Sequence, residues 1–587
     1  MSSSYLSRVA KLIEEALRIP MLFIDGASRS RVLYTSTEQG ASNLWVLERD
    51  GSRKLVVDEP VAEVSLLRRD ERYVLYSIDV ARGAELHRVK ALDMESLERL
   101  EEVAEGLPLG RVFGLAVRGS TAVATLATRE GVYLYRAEVG GKWERIAELK
   151  AMFLLTDASD RYAVGFGPLR GDPKSMEIGI VDLQSGELRI YTPKPGSRNL
   201  TPTIEGTKIM FESDFEGRNR LYIYDVASEK LERYDPGGDY ARYDPAEHTF
   251  YGWRDGSVWV VAKKNGRCAL FIDGRLVYDP RGTIHGIPAF LGNELYLAIS
   301  SLSRPPRIVR VRNGVEETII APPRTELEES IAEVRFVKYR SFDGLEAPMY
   351  VVLSSRAPRP GPALVLVHGG PWSEVADVWS ITIPVLAALG IHVLAPNFRG
   401  STGYGAEYMM KIVGNPGGGD LEDVVYAARW AIENGIADPK KIAVGGYSYG
   451  GYATYMAMVR HPEVWRCGVA GAGIVDWEEM YELSDALFRQ FIDALFAGRK
   501  DLLRERSPIH YVDNLRAPIC IIHPQNDSRC PLKPVLRFVS ALLEKGKRFE
   551  LHVAPDMGHA VTKLEDAVKI LLPYALFLYR CLYTESE

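Results

Sequence analysis

The chain predicts an all-β domain joined to an α/β domain: a seven-bladed β-propeller over residues 21–325, then an α/β domain over residues 326–587, with a helix at residues 1–20 ahead of both. Three observations carry this. The 587 residues exceed what one ordinary hydrophobic core holds. From about Val32 to Thr318 the chain is written in short strands rich in Val, Tyr, Ile and Leu, with turn residues close behind and almost no helical periodicity. From about Glu333 apolar strands alternate with helical stretches, the pattern of a mostly parallel sheet covered on both faces. Apolar residues make up 46%, ample for buried cores and against disorder.

The first element is "SYLSRVAKLIEEALRI". Leu6, Val9, Ile13 and Leu17 recur at helical spacing, interleaved with Lys11, Glu14, Glu15 and Arg18. The charges are mixed rather than basic, so a helix docked on its own protein is favoured over one lying on a membrane. The segment lacks the apolar core of a signal peptide, and no run elsewhere is long enough to span a bilayer.

The propeller is expected from a repeat of an apolar strand, a polar turn and a second strand. Its copies are "LWVLERDGSRKLVV" from Leu44, "LHRVKALDMESLERL" from Leu86, "VYLYRAEVGGKWERI" from Val132, "IGIVDLQSGELRIY" from Ile178, "LYIYDVASEKLERY" from Leu221, "CALFIDGRLVY" from Cys268 and "IVRVRNGVEETI" from Ile308. They recur every roughly 40 to 47 residues, the period of a four-stranded blade. A pair of β-sandwiches is the competing architecture, and the regular period favours blades.

In the second half, "VRFVKYRSFDGLEAPMYVVL" reads as a hairpin turning at Phe342 to Gly344. After "RAPRPGP", strands in "ALVLVHGGP", "IHVLAPNFRG" and "KKIAVGGY" alternate with helices in "SITIPVLAALG", "LEDVVYAARWAIENG" and "GYATYMAMVRHP". "APICIIHP" and "FELHVAP" are two further strands, each leading through a loop to a helix.

The chemistry gathers around Ser448 in "GGYSYGG". Gly-x-Ser-x-Gly alone is a weak signal, and its context decides. A strand that turns abruptly into a helix brings backbones close, so side chains at Gly446 and Gly450 would clash, and the serine hydroxyl is left exposed on a nucleophile elbow. Serine needs a base, an acid to orient the base, and donors for an oxyanion. In an α/β-hydrolase the partners follow in the order Ser, Asp, His. Asp527 in "IIHPQNDSRCP" and His559 in "LHVAPDMGHAV" each fall just past a strand, at the same sheet edge as Ser448. Asp556 is a rival acid better placed to shape its own loop, and His523 and His552 lie inside apolar strands. The expected oxyanion donors are the amides of Tyr449 and of Gly370 in "HGGP", with Gly369 as the alternative.

These residues resemble the prolyl oligopeptidase family of serine peptidases. The resemblance rests on "HGGPW", "NFRGSTGYG", "GGYSYGGY", "NDSR" and "GHA", and within the family it is nearest the archaeal acylaminoacyl-peptidases, supported by "VDWEEMYELSD" and "IHPQNDSR". It is strong from Glu333 to Glu587 and architectural over the propeller. It implies release of N-acylated residues from short peptides through an acyl-enzyme, and a propeller that admits only short substrates. It also implies an N-terminal helix folded onto the catalytic domain. Arg529 matches an arginine that binds a substrate carbonyl, its fork of donors suiting that task, with a plain salt bridge as the alternative. Trp372, Ile474, Trp477, Phe491 and Ile492 are candidates for an apolar pocket, and each could equally be core. Cys530, beside Arg529, has no counterpart the family leads one to expect, and offers a thiol that reagents could reach. Prolyl oligopeptidase, dipeptidyl-peptidase and carboxylesterase activities are the alternatives. Glu478, Glu479 and Glu482 keep open the acidic pair that a dipeptidyl peptidase needs.

Composition excludes other classes. The net charge is -6 with no basic block to follow a phosphate backbone, so nucleic acid is not an expected partner. Five scattered cysteines without CxxC support neither a disulfide framework nor a zinc site, although a Cys520–Cys530 bridge is conceivable, and they fit a cytoplasmic protein. No metal or cofactor is implied. The family resemblance implies a homodimer or larger assembly.

Overall fold

The computed structural model describes residues 3–67, 71–81, 85–128, 130–172, 175–484, 486–561 and 563–583. The chain forms two compact units, one of Met1–Ile19, Ser301–Pro305 and Pro322–Glu587, the other of Pro20–Ser300 and Pro306–Ala321.

The second unit is β-propeller, built almost wholly of antiparallel sheet. The repeats noted above are paired strands: "LYIYDVASEKLERY", for example, is Arg220–Asp225 and Lys230–Arg233, in register at Tyr224 and Leu231. The first strand of such a pair is buried and the second largely exposed, which is why the phrase reads as apolar, turn, polar. Among the described residues five sheets have four strands and stand alone, whereas the strands from Leu22 to Val57 and from Thr283 to Ile320 join in one sheet of eight. Seven separate sheets are therefore not what the pairing shows. The junction is a parallel contact of Ile24 with Gly286. Successive groups of four strands approach each other at glycines of positive φ: a Cβ on Gly114 would sit 2.0 Å from the Leu155 carbonyl oxygen in the next sheet, and one on Gly286 2.0 Å from that of Ile24, its partner across the junction of the eight-stranded sheet. Only glycine tolerates both the backbone angle and the approach.

The first unit holds an eight-stranded sheet. Its strands are β1 (Ile331–Arg340), β2 (Glu346–Ser354), β3 (Gly361–Val367), β4 (His392–Pro396), β5 (Ala437–Tyr447), β6 (Cys467–Gly471), β7 (Ile519–Pro524) and β8 (Phe549–Ala554), in the order β1-β2-β4-β3-β5-β6-β7-β8. The β1–β2 hairpin turns at Gly344, as its Phe-Asp-Gly predicts, and β2 is antiparallel to both neighbours, while the strands from β4 to β8 are mutually parallel. Strands β4, β6 and β7 are buried at every position, the continuous apolar runs of a sheet covered on both faces. Helix α1 (Ser3–Leu17) packs in this unit through Val9, Leu12, Ile13 and Ala16. Tyr5 stacks on Tyr579 at 4.5 Å and donates to the Leu576 carbonyl at 3.0 Å. Leu6, expected on that face, is 51% exposed, because the docked stripe runs one residue earlier, through Tyr5. Among the described residues no helix is long and apolar enough to cross a membrane.

Candidate active site

The site forms at the carboxyl edge of the parallel sheet. Ser448 stands between β5 and helix α2 (Tyr449–Arg460), at φ 59° and ψ −121°. Such a backbone costs about 1–3 kcal/mol in a residue with a Cβ and has to be held by its surroundings. A Cβ on Gly446 would lie 2.3 Å from the Val367 carbonyl oxygen, and one on Gly450 2.1 Å from it, so both glycines are needed for β3 to run alongside the turn. The Ser448 amide is fastened to the Gly471 carbonyl at 2.9 Å.

The loops after β7 and β8 bring two partners to this serine. His559 Nε2 lies 2.9 Å from Ser448 Oγ, and His559 Nδ1 lies 2.7 Å from Asp527 Oδ2. The Asp527 side chain is fully buried, and its other oxygen accepts the amides of Arg529 at 2.9 Å and Cys530 at 2.7 Å. A carboxylate only accepts, so it fixes the proton on Nδ1 and leaves Nε2 to take the serine proton.

The rivals make other bonds. The amide of Asp556 donates to Gln525, within the loop it shapes. His523 is buried, with Nε2–H donating to the Cys530 carbonyl at 2.7 Å, and burial holds its pKa below the usual imidazole value. His552 faces Glu550, at 3.5 Å.

Two supporting residues escape a sequence reading. Tyr447 donates from its hydroxyl to the His559 carbonyl at 2.8 Å and so fastens the loop that carries the base. Its only signal is an aromatic residue immediately before the serine. The Tyr449 hydroxyl donates to buried Asp420 at 2.7 Å and accepts the Gly417 amide at 3.2 Å, which roots the first residue of α2 in the core. Burial pushes the Asp420 carboxyl up to about 6.

Tyr449 starts α2, so its amide has no intrahelical acceptor. In "HGGP", Gly369 adjoins the serine: a Cβ there would lie 3.4 Å from Ser448 Cβ. Gly370, at φ 116°, turns the chain towards Trp372. His368 pins the loop. It stacks on Phe398, donates from Nδ1 to the Gly369 carbonyl at 2.7 Å, and is driven down to about 4 by burial.

Of the pocket candidates, Trp372 and Phe491 meet edge to face at 5.5 Å, both half-buried, with Phe488 5.4 Å beyond Phe491. Ile474 is nearly buried at 7% exposure. Trp477 and Ile492 are core: Trp477 has no exposed surface and packs between Tyr452 and Phe496, and Ile492 is 1% exposed. Helical spacing alone does not separate a residue facing a pocket from one facing the interior. Arg529 is half-buried two residues past Asp527. Glu479 is tied to Lys533 and Arg537, and Glu478 faces Arg504 at 3.6 Å. Cys530 is 4% exposed beneath Asp527 and His559, and burial pushes its thiol well up, which makes it a packing residue rather than a reactive one.

Residues 378–584 match the family model described as "Prolyl oligopeptidase family", and residues 33–309 match "Acylamino-acid-releasing enzyme-like, N-terminal domain". Dipeptidyl aminopeptidase BIII of Pseudoxanthomonas mexicana is 28% identical over 440 residues, 68% of this chain and 61% of that protein. The acylamino-acid-releasing enzyme of Homo sapiens is 28% identical over 213 residues, 35% of this chain and 29% of that protein. The chain thus spans less than two thirds of the length of these relatives. Among solved structures, the uncomplexed acylaminoacyl peptidase of Pyrococcus horikoshii is similar with a TM-score of 0.75 at 18% identity, covering 98% of both chains. A puromycin-hydrolyzing peptidase of Mycobacterium tuberculosis is similar with a TM-score of 0.80 at 19% identity, covering 98% of this chain and 96% of the other. At these identities the structures speak for the fold.

Proposed function

Because the chain belongs to the prolyl oligopeptidase family of peptidases, we propose that it is a serine peptidase that releases N-acylated amino acids from short N-acylated peptides. One observation carries this reading: the unbroken chain from Ser448 Oγ through His559 to Asp527, with the serine on a strained elbow. Ser448 attacks the acyl carbon while His559 Nε2 takes its proton. Buried Asp527 stabilises the imidazolium that forms. The oxyanion is held by the amides of Tyr449 and Gly370, with Gly369 the nearer alternative on the same loop. His559 then protonates the leaving amine, and water releases the acyl group from Ser448 by the reverse sequence. Esters follow the same path. Trp372, Ile474 and Phe491 supply the apolar wall for the acylated residue, and Arg529 binds a substrate carbonyl.

The first relative above, a dipeptidyl aminopeptidase, favours a second reading, removal of dipeptides from free amino termini. The engagement of Glu478 and Glu479 by basic side chains speaks against it, since a free amine needs an unspent acidic pair. We read the eight-stranded sheet as two blades fused at their first strands, which makes seven blades in all, and we assign the propeller the task of excluding long substrates. Five free cysteines suit a cytoplasmic enzyme, and a homodimer or larger assembly completes the proposal.

Rates on matched N-acetylated and free peptides, with Ser448→Ala as the control, decide among these. Fast release of an N-acetylated residue is the expected result. Faster cleavage of free amino termini or of internal prolyl bonds would move the enzyme to another branch of the family. Equal rates on a folded protein and a short peptide would refute the size limit.

A further inference from the structure

A cavity of about 520 Å³ lies at the opposite edge of the sheet from Ser448. It opens where β6, β7 and β8 begin and is closed by the C-terminal helix α3 (Leu564–Tyr583). Four guanidinium groups line it, those of Arg466, Arg516, Arg548 and Arg580, against one carboxylate, Glu550. Arg580 is bonded to Glu550, and Arg466 Nε donates to the Cys581 carbonyl at 3.4 Å. The guanidinium groups of Arg516 and Arg548 make no hydrogen bond or ion pair among the described residues. Trp465 lines the cavity at 4% exposure, and its indole N–H has no hydrogen-bond partner among the described residues.

We propose that this cavity is a binding site for a small organic polyanion whose phosphate or carboxylate oxygens are held by Arg516, Arg548 and Arg466. Guanidinium forks pair two at a time with such oxygens. The volume exceeds that of a bare phosphate and falls in the range of small-molecule sites, and Trp465 and Phe577 give an apolar wall for the rest of the ligand. Nothing in the peptidase chemistry above uses these residues.

Cys581 reports on occupancy. It lines the cavity and is the half-buried one of the five cysteines, the others being buried. Its hydrogen bond with Cys467 and the neighbouring guanidinium groups hold its thiol below the usual range, which favours reaction. The experiment is the rate of Cys581 alkylation by uncharged iodoacetamide, followed by peptide mapping, in the intact chain with pyrophosphate or citrate and in sodium chloride of matched ionic strength. At about ten times the dissociation constant the free fraction falls roughly tenfold, and alkylation should slow by that factor. Protection by pyrophosphate identifies phosphoryl groups and protection by citrate alone identifies carboxylates; either supports the site. Arg516→Gln/Arg548→Gln should lose the protection while Cys581 is still alkylated and peptide cleavage continues. Protection that only follows ionic strength, or that persists in the double variant, would overturn the proposal.

Discussion

Two chains of hydroxyl, imidazole and carboxylate occur in this molecule, and they differ in nearly everything but connectivity. In the α/β unit Ser448, His559 and Asp527 are linked at 2.9 and 2.7 Å. In the propeller Tyr240, His248 and Glu212 are linked at 2.7 and 2.6 Å, just as tightly. The second set has no elbow. Its hydroxyl is a phenol, 5% exposed, in the short helix Gly238–Tyr243, and burial pushes its ionisation up. Glu212 Oε2 also accepts the His248 amide at 2.8 Å, so the cluster ties strands together. Three groups in line are therefore a packing solution that proteins reach for either purpose. What separates the two is the serine on a strained turn, room made by glycine, and unspent amides beside it.

The contrast can be broken or sharpened by substitution. Ser448→Ala should lower kcat about 10⁴- to 10⁶-fold with the melting profile preserved, measured on an N-acetylated peptide. Asp527→Asn should keep the geometry yet cost about 10⁴-fold in kcat, because the amide favours the wrong imidazole tautomer. Gly450→Ala drives a Cβ to 2.1 Å from the Val367 carbonyl; it should cost about 1–3 kcal/mol in denaturant unfolding and displace the serine with it. Glu212→Ala should cost about 2 kcal/mol of stability by stranding the His248 donors, yet leave kcat/KM per active site unchanged. Loss of activity there without loss of stability would erase the distinction drawn above. Smallest is Tyr447→Phe, which removes one hydrogen bond to the His559 carbonyl and should lower kcat roughly 2- to 12-fold.

The same contrast marks what a sequence can disclose. Ser448, Asp527 and His559 were legible because each follows its own apolar strand in the order a parallel sheet imposes. The Tyr240, His248 and Glu212 set left no trace, since its members belong to separate strands and a short helix with nothing periodic to join them. Tyr447 and Asp420 act through hydrogen bonds that no spacing announces. Trp477 and Ile492 were pocket candidates by family resemblance, and a resemblance in motif does not say which side chains turn into the core. The propeller repeats were legible because outer strands are polar and inner ones apolar. The sheet count was not, since pairing at Ile24 and Gly286 depends on how separated strands meet.

Labelling the intact chain with a fluorophosphonate and mapping the adduct tests most directly the claim that Ser448 is the nucleophile. One equivalent bound at Ser448, absent from Ser448→Ala and unaffected by Glu212→Ala, is the expected result. An adduct on another residue, or a wild-type chain that stays unlabelled, would contradict it.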